Sequence, residues 1–442
     1  MASAAEQLAA NLNFGAFAKA TELKKRIWFT LAALVVYRIG AHIPLPGIDA
    51  HAMAALFETN AGGILGMFDM FAGGAVRRMT IFALNIMPYI SASIIMQLLT
   101  AVSPTLEQLK KEGEAGRKKI NQYTRYGTVL LAAVQAYGIA VGLEASAGVV
   151  SAPGLLFRFT TVVTLTGGTI FLMWLGEQIT ARGVGNGISL IIFSGIVANL
   201  PLALVQMLEL GRSGERSTFF ILFMLVVAVA VITFIVFMER AQRRIIVQYP
   251  KRQVGNKLFG GESSHLPLKL NSSGVIPPIF ASSLLLLPAT AAGFGVAGAE
   301  GWLGTITAYL GHGHPAYMVA YVALIVFFSF FYTAIVVNPN DTADNLKRHG
   351  GFIPGIRPGK STAEYLDYVL TRLTVVGSAY LAAVCLLPEI LVSRFAVPFY
   401  FGGTSLLIVV SVTMDTVAQI HSHLLAHQYE GLVKKAKLRG RR

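Results

Sequence analysis

The chain has 442 residues, of which 54% are apolar and only 13% are charged. A soluble domain carries about 25% charged residues, so this composition excludes a water-soluble enzyme with a polar surface and also a disordered chain. With a mean hydropathy of +0.62, the chain is predicted to be a polytopic membrane protein. The net charge is nevertheless +14, and the single cysteine, Cys385, excludes an intrachain disulfide and a cysteine-built metal site.

A bilayer core of about 30 Å requires about 20 apolar residues per helix. Ten stretches of the sequence approach that length. They are Ile27–Ile43, Thr80–Ala101, Thr128–Leu143, Thr160–Gly176, Ile188–Leu208, Phe219–Met238, Val275–Val296, Ala316–Val337, Thr371–Leu391 and Gly403–Ile420. The first is short and holds Arg38, but no small-residue cleavage site follows it, so a retained helix is predicted rather than a signal peptide.

The cations are distributed unequally between the two sides of these spans. Of the 36 Lys and Arg residues, 28 fall before the first span, after spans two, four, six and eight, and in the tail. Six lie on the opposite side, and Arg38 and Arg372 lie within spans. By the positive-inside rule, both termini and the loops after spans two, four, six and eight are predicted to be cytoplasmic.

The ten spans divide into two groups of five. An odd number of spans per half forces the halves into opposite orientations, which predicts an inverted pseudo-repeat with a pore or binding site between them. The predicted fold class is an all-α polytopic membrane protein with ten transmembrane helices in two inverted five-helix halves around a central pore. The predicted segments are a cytoplasmic N-terminal segment (1–26), an N-terminal half (27–208), an external hinge loop (209–217), a C-terminal half (218–420) and a basic cytoplasmic tail (421–442).

Two kinds of irregularity interrupt the apolar pattern. Residues 62–74, GGILGMFDMFAGG, are too short to span a bilayer. They form either an external loop with an interfacial turn or a re-entrant half-helix that is shielded from lipid. Pro88 in the second span and the Pro277–Pro278 pair in the seventh predict broken helices at corresponding places in the two halves. Such a pair of broken helices indicates a functional site.

Two pairs of isoleucines lie in or beside these spans. Ile86 and Ile90 are four residues apart, as are Ile188 and Ile192, so each pair shares one helix face. A lipid-facing position is the default for isoleucine in a membrane helix, and the spacing alone does not distinguish that position from a pore lining.

Motifs that carry chemistry are scarce. Few carboxylates lie deep in the predicted spans, and Asp415 is the one nearest to a midplane position. This scarcity of ionisable groups argues against ion-coupled transport. The segment 355–361, GIRPGKS, fails the phosphate-binding loop pattern because Pro354 stands where glycine is required, which excludes ATP binding. His423 and His427 have a spacing that suits a metal, but incidental tail residues explain them more simply. No catalytic residue, metal site or cofactor is predicted.

Two predicted cytoplasmic loops, 239–271 and 338–368, are long for simple connections. The first contains ERAQRRIIVQYPKRQVGNK, whose alternating apolar and basic residues predict a β-hairpin or an extended finger. Such loops either lie on anionic lipid headgroups or dock a large partner that presents phosphate or acidic groups. Arg357, between Gly355 and Gly359, is predicted to be held in a turn.

Seven long motifs occur in order along the chain from about residue 20 to the tail. They are RIGAHIPLPGID (38–49), IMPYISASIIMQLL (86–99), KKEGEAGRKKINQYTRYGT (110–128), FLMWLGEQITARGVGNGIS (171–189), HLPLKLNSSGVIPPIFASS (265–283), NPNDTADNLKRHGGFIPGIRPG (338–359) and PFYFGGTSLLIVV (398–410). Together they resemble the SecY family, the central subunit of the bacterial protein-translocation channel.

The resemblance implies an hourglass-shaped channel and a role for particular residues. The implied pore ring is Ile86, Ile90, Ile188, Ile192, Ile279 and Ile408. The implied plug is the segment 62–74, with Ile64, Leu65, Met67, Phe68, Met70 and Phe71. The implied lateral gate includes Ser91, Gln97 and Asn271, and the implied docking residues for a motor or ribosome are Arg243, Arg244, Lys251, Arg252 and Arg357.

By the same resemblance, the chain passes unfolded preproteins across the bacterial inner membrane and releases apolar segments sideways into the bilayer. The implied partners are the small subunits SecE and SecG, the SecA motor ATPase, the ribosome, signal peptides and nascent chains, and anionic lipids. Enzymatic activity is not expected. From the residues alone, a secondary transporter of a small solute stays open, because it shares the inverted halves and broken helices.

Overall fold

The computed structural model describes residues 20–60, 69, 72–146, 148–213, 217–249, 252–254, 257–259, 263–293, 314–395 and 403–439. The helices in this part of the chain precede and follow one group of strands. They are α1 (Thr21–Gly40), α2 (Ala50–Asn60), α3 (Met87–Val102), α4 (Pro104–Lys111), α5 (Glu114–Ala145), α6 (Leu155–Arg182), α7 (Gly187–Arg212), α8 (Thr218–Arg240), α9 (Ile276–Gly293), α10 (Pro315–Val336), α11 (Pro339–Arg348), α12 (Lys360–Phe395) and α13 (Gly403–Arg439). Between α8 and α9 lie β1 (Gln242–Gln248), β2 (Arg252–Val254), β3 (Lys257–Phe259) and β4 (Ser263–Lys269).

Seven of the helical stretches in the described residues are long and apolar enough to cross a bilayer. They are α5, α6, α7, α8, α10 taken with α11, α12 and α13. The number becomes eight if α3 and α4, which are bent by 98° relative to each other, count as one span. Each of the ten predicted spans overlaps a helix. The chain is therefore a largely helical multi-span membrane protein, and the count of ten spans stays a prediction.

The chain forms two compact units. The first contains Met1–Ala92, Thr124–Pro201 and Val412–Arg442, and the second contains Ser93–Tyr123 and Leu202–Ser411. The main core of the first unit is built from the 45–53 and 79–84 segments, α5 and the start of α6, and Leu45, Ala136 and Leu165 are among its most deeply buried side chains. The division into two inverted halves at residues 209–217 stays a prediction.

The finger predicted between the sixth and seventh spans is a β-hairpin, which confirms that reading of the alternating pattern. β1 pairs with β4 in antiparallel register, so that Ile245 lies opposite Leu266. Ile245 and Val247 are buried, whereas Arg243 and Arg244 are exposed. β2 and β3 form a second antiparallel pair closer to the tip.

The segment between the second and third predicted spans is largely helical. Pro104 occupies the first turn of α4, where its missing N–H would have no helical partner. A Glu107–Lys111 ion pair of 2.7 Å supports the same helix. The following helix, α5, is 32 residues long, so the predicted third span continues a helix that begins well before it.

Candidate functional site

The second predicted span begins later than the sequence suggested. Helix α3 starts at Met87, and residues 73–79 and 81–86 form turns, so the prediction of a helix from Thr80 was wrong. Pro88 therefore lies in the first turn of α3, where it costs no helical hydrogen bond, and it does not kink the helix interior. The same correction applies to Pro277 and Pro278, which lie in the first turn of α9.

The turn segment before α3 is paired with the loop that follows α1. Leu45 N–H donates to Met79 O at 2.9 Å, and Ile81 N–H donates to Ile43 O at 3.1 Å. Met79 and Asn85 adopt positive φ values of 43° and 49°. Non-helical backbone at membrane depth is tolerated where protein covers it, and Phe82, like its neighbours in this segment, is buried.

Two glycines allow this segment to lie directly against its neighbouring helices. A Cβ at Gly40 would collide with the Phe82 ring, and a Cβ at Gly168 would collide with Ile81 O. The Phe82 ring stacks between Tyr37 and Phe171 at centroid distances of 6.1 and 5.9 Å. These contacts set the position of the residues immediately before α3.

In the first unit, the implied ring residues lie at the starts of two helices. Ile86 caps α3, since its carbonyl accepts from the N–H groups of Tyr89 and Ile90, both at 3.1 Å. Ile86 is fully buried, Ile90 and Ile192 are largely buried, and Ile188 is half-buried in the first turn of α7. A Cβ at Gly176 would lie 3.2 Å from Ile188 Cγ1, so α6 and α7 approach closely where Ile188 lies.

The remaining two implied ring residues belong to the second unit. Ile279 lies in the first turns of α9, half-buried, and its carbonyl accepts from Ser282 Oγ at 2.9 Å. Ile408 lies on α13 and is 1% exposed. Branched apolar side chains of this kind offer no ionisable group and would exclude water from a narrow passage. Convergence of all six isoleucines stays a prediction.

The implied plug side chains, namely Ile64, Leu65, Met67, Phe68, Met70 and Phe71, lie outside the described residues. The backbone immediately after them is held by polar side chains. Gly73 O accepts from Arg38 Nη1 at 3.1 Å and from Arg78 Nη2 at 3.4 Å. Burial raises the pKa of the Asp69 carboxyl, and the hydrogen bond from the Arg77 N–H opposes that shift.

The implied gate residues have different surroundings. Ser91 is buried on α3, and Gln97 Nε2 donates to Ser93 Oγ at 3.3 Å. Asn271 is buried, and its Nδ2 donates to Glu239 Oε1 at 2.7 Å and to Gly274 O at 3.0 Å. Asn271 therefore fixes the connection between β4 and α9.

The two loops that are predicted to be cytoplasmic form one structural element, which we call the cytoplasmic platform after that prediction (residues 242–248, 263–270 and 351–373). Gln248 and Phe352 exchange two backbone hydrogen bonds, with N···O distances of 2.9 and 3.0 Å. Beneath this pairing, β1, the 351–356 segment and α12 share an apolar core. Its members are Ile245, Ile353, Leu366, Val369 and Leu373, with Leu266, Leu268, Leu270, Ile356 and Tyr365 packed against it. The sequence did not reveal this core, because its parts are far apart along the chain.

The implied docking residues lie on this platform or near it. Arg243, Arg244 and Arg357 are exposed. Arg357 lies two residues after Gly355, which has a φ of +80°. The Arg357 carbonyl accepts from Thr362 Oγ1 at 3.0 Å. Lys251 lies outside the described residues, and the backbone of Arg252 belongs to β2. The platform therefore presents exposed cations on a backbone that is held by hydrogen bonds.

Across the described ranges, no group of three His, Cys, Asp or Glu side chains is arranged to hold a metal ion. A bidentate ion pair between α5 and α6 was not predicted from the sequence. Arg125 Nε and Nη2 donate to the two oxygens of Glu177 at 3.0 and 2.7 Å. No spacing rule connects these residues, which are 52 positions apart.

Comparisons with known proteins agree with this architecture. The family model described as SecY matches residues 80–417. A relative in Pseudomonas aeruginosa, named protein translocase subunit SecY, is 59% identical over 421 residues, covering 95% of each chain. The protein of the same name in Escherichia coli K12 is 56% identical over 423 residues, covering 95% of this chain and 96% of the relative.

Solved structures share the fold. A protein-conducting channel superposes with a TM-score of 0.67 at 21% identity, covering 91% of this chain and 92% of the other. Sec61 in a canine ribosome–channel complex has a TM-score of 0.63 at 20% identity, with coverages of 91% and 92%. The family match over most of the chain and the high identity to its curated members lead to one conclusion: the chain belongs to the SecY family.

Proposed function

We propose that this chain is the protein-conducting subunit of a bacterial protein translocase, passing unfolded preproteins across the inner membrane and releasing apolar segments into the bilayer. The observation that carries the proposal is the 56–59% identity over 95% of the chain to proteins named protein translocase subunit SecY. The channel supplies no chemical energy of its own, and a separate motor or ribosome drives transport.

The proposal is tested with the purified channel, co-expressed with its small subunits and reconstituted into vesicles. An unfolded preprotein should become protected from external protease only when the motor ATPase and ATP are present. Gradient-driven uptake of a small solute without a motor, together with no preprotein protection, would instead support a secondary transporter.

Within this function, Ile86, Ile90, Ile188, Ile192, Ile279 and Ile408 form the pore constriction. A collar of branched apolar side chains excludes ions by dewetting and yields around any unfolded chain. Residues 62–74 act as the plug. A solved channel structure similar to this chain concerns a SecY plug domain that stabilises the closed state. Replacing ring isoleucines with glycine should raise the resting ion leak, and an unchanged conductance would contradict the collar.

Sideways release follows from partitioning. At about −0.3 to −0.6 kcal/mol per Leu, Ile or Phe, ten such residues favour the bilayer by roughly 3–6 kcal/mol. The gate elements are α3, with Ser91 and Gln97, and the Asn271 connection that precedes α9. In a Cys385→Ser background, a disulfide between one cysteine in α3 and one in α9 should block membrane-protein insertion. Unimpaired insertion with a complete crosslink would refute the gate.

The cytoplasmic platform is the docking surface for the SecA motor or the ribosome, with Arg243, Arg244, Lys251, Arg252 and Arg357 as contacts. Exposed cations on a rigid base suit phosphate or acidic surfaces. SecE and SecG associate in the membrane, signal peptides and nascent chains pass through, and anionic lipids neutralise the remaining cytoplasmic cations. Both termini are cytoplasmic.

The docking role is tested at Arg357, whose side chain is exposed and whose backbone lies in a glycine-bounded turn. Arg357→Glu should strongly impair motor-driven export while the protein still accumulates in the membrane. Lys347→Glu, an equivalent charge reversal at an exposed position outside the platform, serves as the control. Normal export by the Arg357→Glu protein would refute the docking role.

A further inference from the structure

The turn between α6 and α7, residues 183–187, is bonded by side chains from several helices of the first unit. Val184 N–H donates to Thr30 Oγ1 at 3.0 Å. Gly185 N–H donates to Gln419 Oε1 at 2.9 Å, and Gly187 N–H donates to Thr180 Oγ1, also at 2.9 Å. The partners belong to α1, α13 and α6. Side chains from three helices therefore satisfy backbone donors that a turn normally leaves to water.

The glycines of this turn are required by close approach. A Cβ at Gly183 would collide with Thr30 Oγ1, and a Cβ at Gly187 would collide with Gly176 O. Gly185 has a φ of +90°, a conformation that residues with a side chain rarely adopt. The sequence ARGVGNG thus brings the turn backbone within hydrogen-bonding range of α1 and α13.

An apolar cluster also holds this turn. Val184 is 3% exposed and packs with Leu23 of α1 and Leu424 of α13. Ile27 and Ile420 pack against this cluster. The turn is consequently fixed by both polar and apolar contacts to the first and the last helix of the described chain.

Helix α7 begins directly at this turn. Asn186 precedes the helix, and its Oδ1 accepts from the Ile188 N–H at 3.1 Å, as a capping residue does. Ile188 and Ile192 lie in the first two turns of α7, so their placement follows that of the turn. We infer that Thr30 and Gln419 are positioning residues that hold the α6–α7 turn and thereby the ring residues Ile188 and Ile192. This inference rests on the proposed pore constriction.

The chemistry of the two contacts permits a sharp test. Each side chain acts on the turn as an acceptor from a backbone N–H. Gln419→Glu and Thr30→Ser keep an acceptor oxygen, whereas Gln419→Leu and Thr30→Val remove it at nearly constant volume. Gln122→Leu makes the same chemical change at an exposed position of α5 and is the matched control.

The first measurement is amide hydrogen exchange of the 183–188 peptide in the reconstituted complex. Gln419→Leu and Thr30→Val should each accelerate exchange about 3- to 10-fold, the effect of losing one hydrogen bond. Gln419→Glu, Thr30→Ser and Gln122→Leu should exchange like the parent protein. Unchanged exchange in Gln419→Leu and Thr30→Val would overturn the inference.

The second measurement is the resting ion leak of the same vesicles, with Ile188→Gly as the reference for a disrupted ring. Gln419→Leu and Thr30→Val should raise the leak, whereas Gln419→Glu and Thr30→Ser should leave it at the level of the parent protein. If Ile188→Gly leaks but the acceptor-removing variants do not, the positioning role is overturned while the constriction stands. If Ile188→Gly also fails to leak, the constriction itself fails, and the positioning role fails with it.

Discussion

Leu366 offers the most direct test of the cytoplasmic platform as a single folded element. Its side chain is 1% exposed and lies in the apolar core that joins β1, the 351–356 segment and α12. If this core holds the hairpin and the Arg357 loop together, truncating Leu366 to alanine should loosen both at once. The Gln248–Phe352 pairing should then open more often, because it lies over the same core.

The size of the effect follows from burial. A fully buried Leu→Ala substitution costs about 2–5 kcal/mol, which combines the lost transfer free energy with the cavity that remains. If local opening of the platform controls amide exchange, that cost corresponds to an exchange rate that is about 30-fold to a few thousand-fold higher. Leu387 on the same helix is 41% exposed and lies outside this core, so its truncation should leave the platform unchanged.

The assay is hydrogen exchange of the peptides that contain Gln248 and Phe352, measured for the parent, Leu366→Ala and Leu387→Ala proteins. Both peptides should exchange faster in Leu366→Ala, and neither should change in Leu387→Ala. If only the α12 peptide responds to Leu366→Ala, the hairpin and the loop are held independently, and the platform is not a single folded element.

Two further substitutions test packing and charge in the first unit. Gly168→Ala should lower the melting temperature, because its Cβ would meet the Ile81 carbonyl, whereas the adjacent Gly167 has open space. Gly167→Ala should stabilise by up to about 1 kcal/mol through helix propensity, and equal melting temperatures would contradict the close contact. The Arg125–Glu177 pair has side chains 48% and 33% exposed. A double-mutant cycle should therefore give a coupling of only about 0.2–1 kcal/mol, and a value above 3 kcal/mol would contradict the expected solvent screening.

Apolar content predicted most of the helical architecture. Each predicted span overlaps a helix, because about 20 consecutive apolar residues suit only a helix in a bilayer. Alternating residues such as Ile245 and Val247 likewise predicted the hairpin, since a period of two is itself the strand signal. The order of long motifs identified the family from the same one-dimensional information.

Local patterns misplaced the irregular segments. The residues from Ile81 to Ile86 are as apolar as a helix, yet they form turns, because Phe82 is buried against α1 and α6. The apolar pattern predicts helix breaks at Pro88 and at the Pro277–Pro278 pair, whereas these prolines lie in the first turns of α3 and α9. A proline in an apolar run marks either a kink or a helix start, and only the position of the first helical turn distinguishes them.

The sequence by itself determined the class of the protein, its membrane-spanning character and the family to which it belongs, because composition and motif order require no knowledge of contacts. Tertiary structure decided which distant segments meet. Gln248 and Phe352, which pair over one core, are more than 100 positions apart. The same is true of Thr30 and Gln419 and the residues of the α6–α7 turn to which they are hydrogen-bonded. Such contacts leave no periodic signal, since they depend on how helices pack rather than on the spacing of residues within one helix.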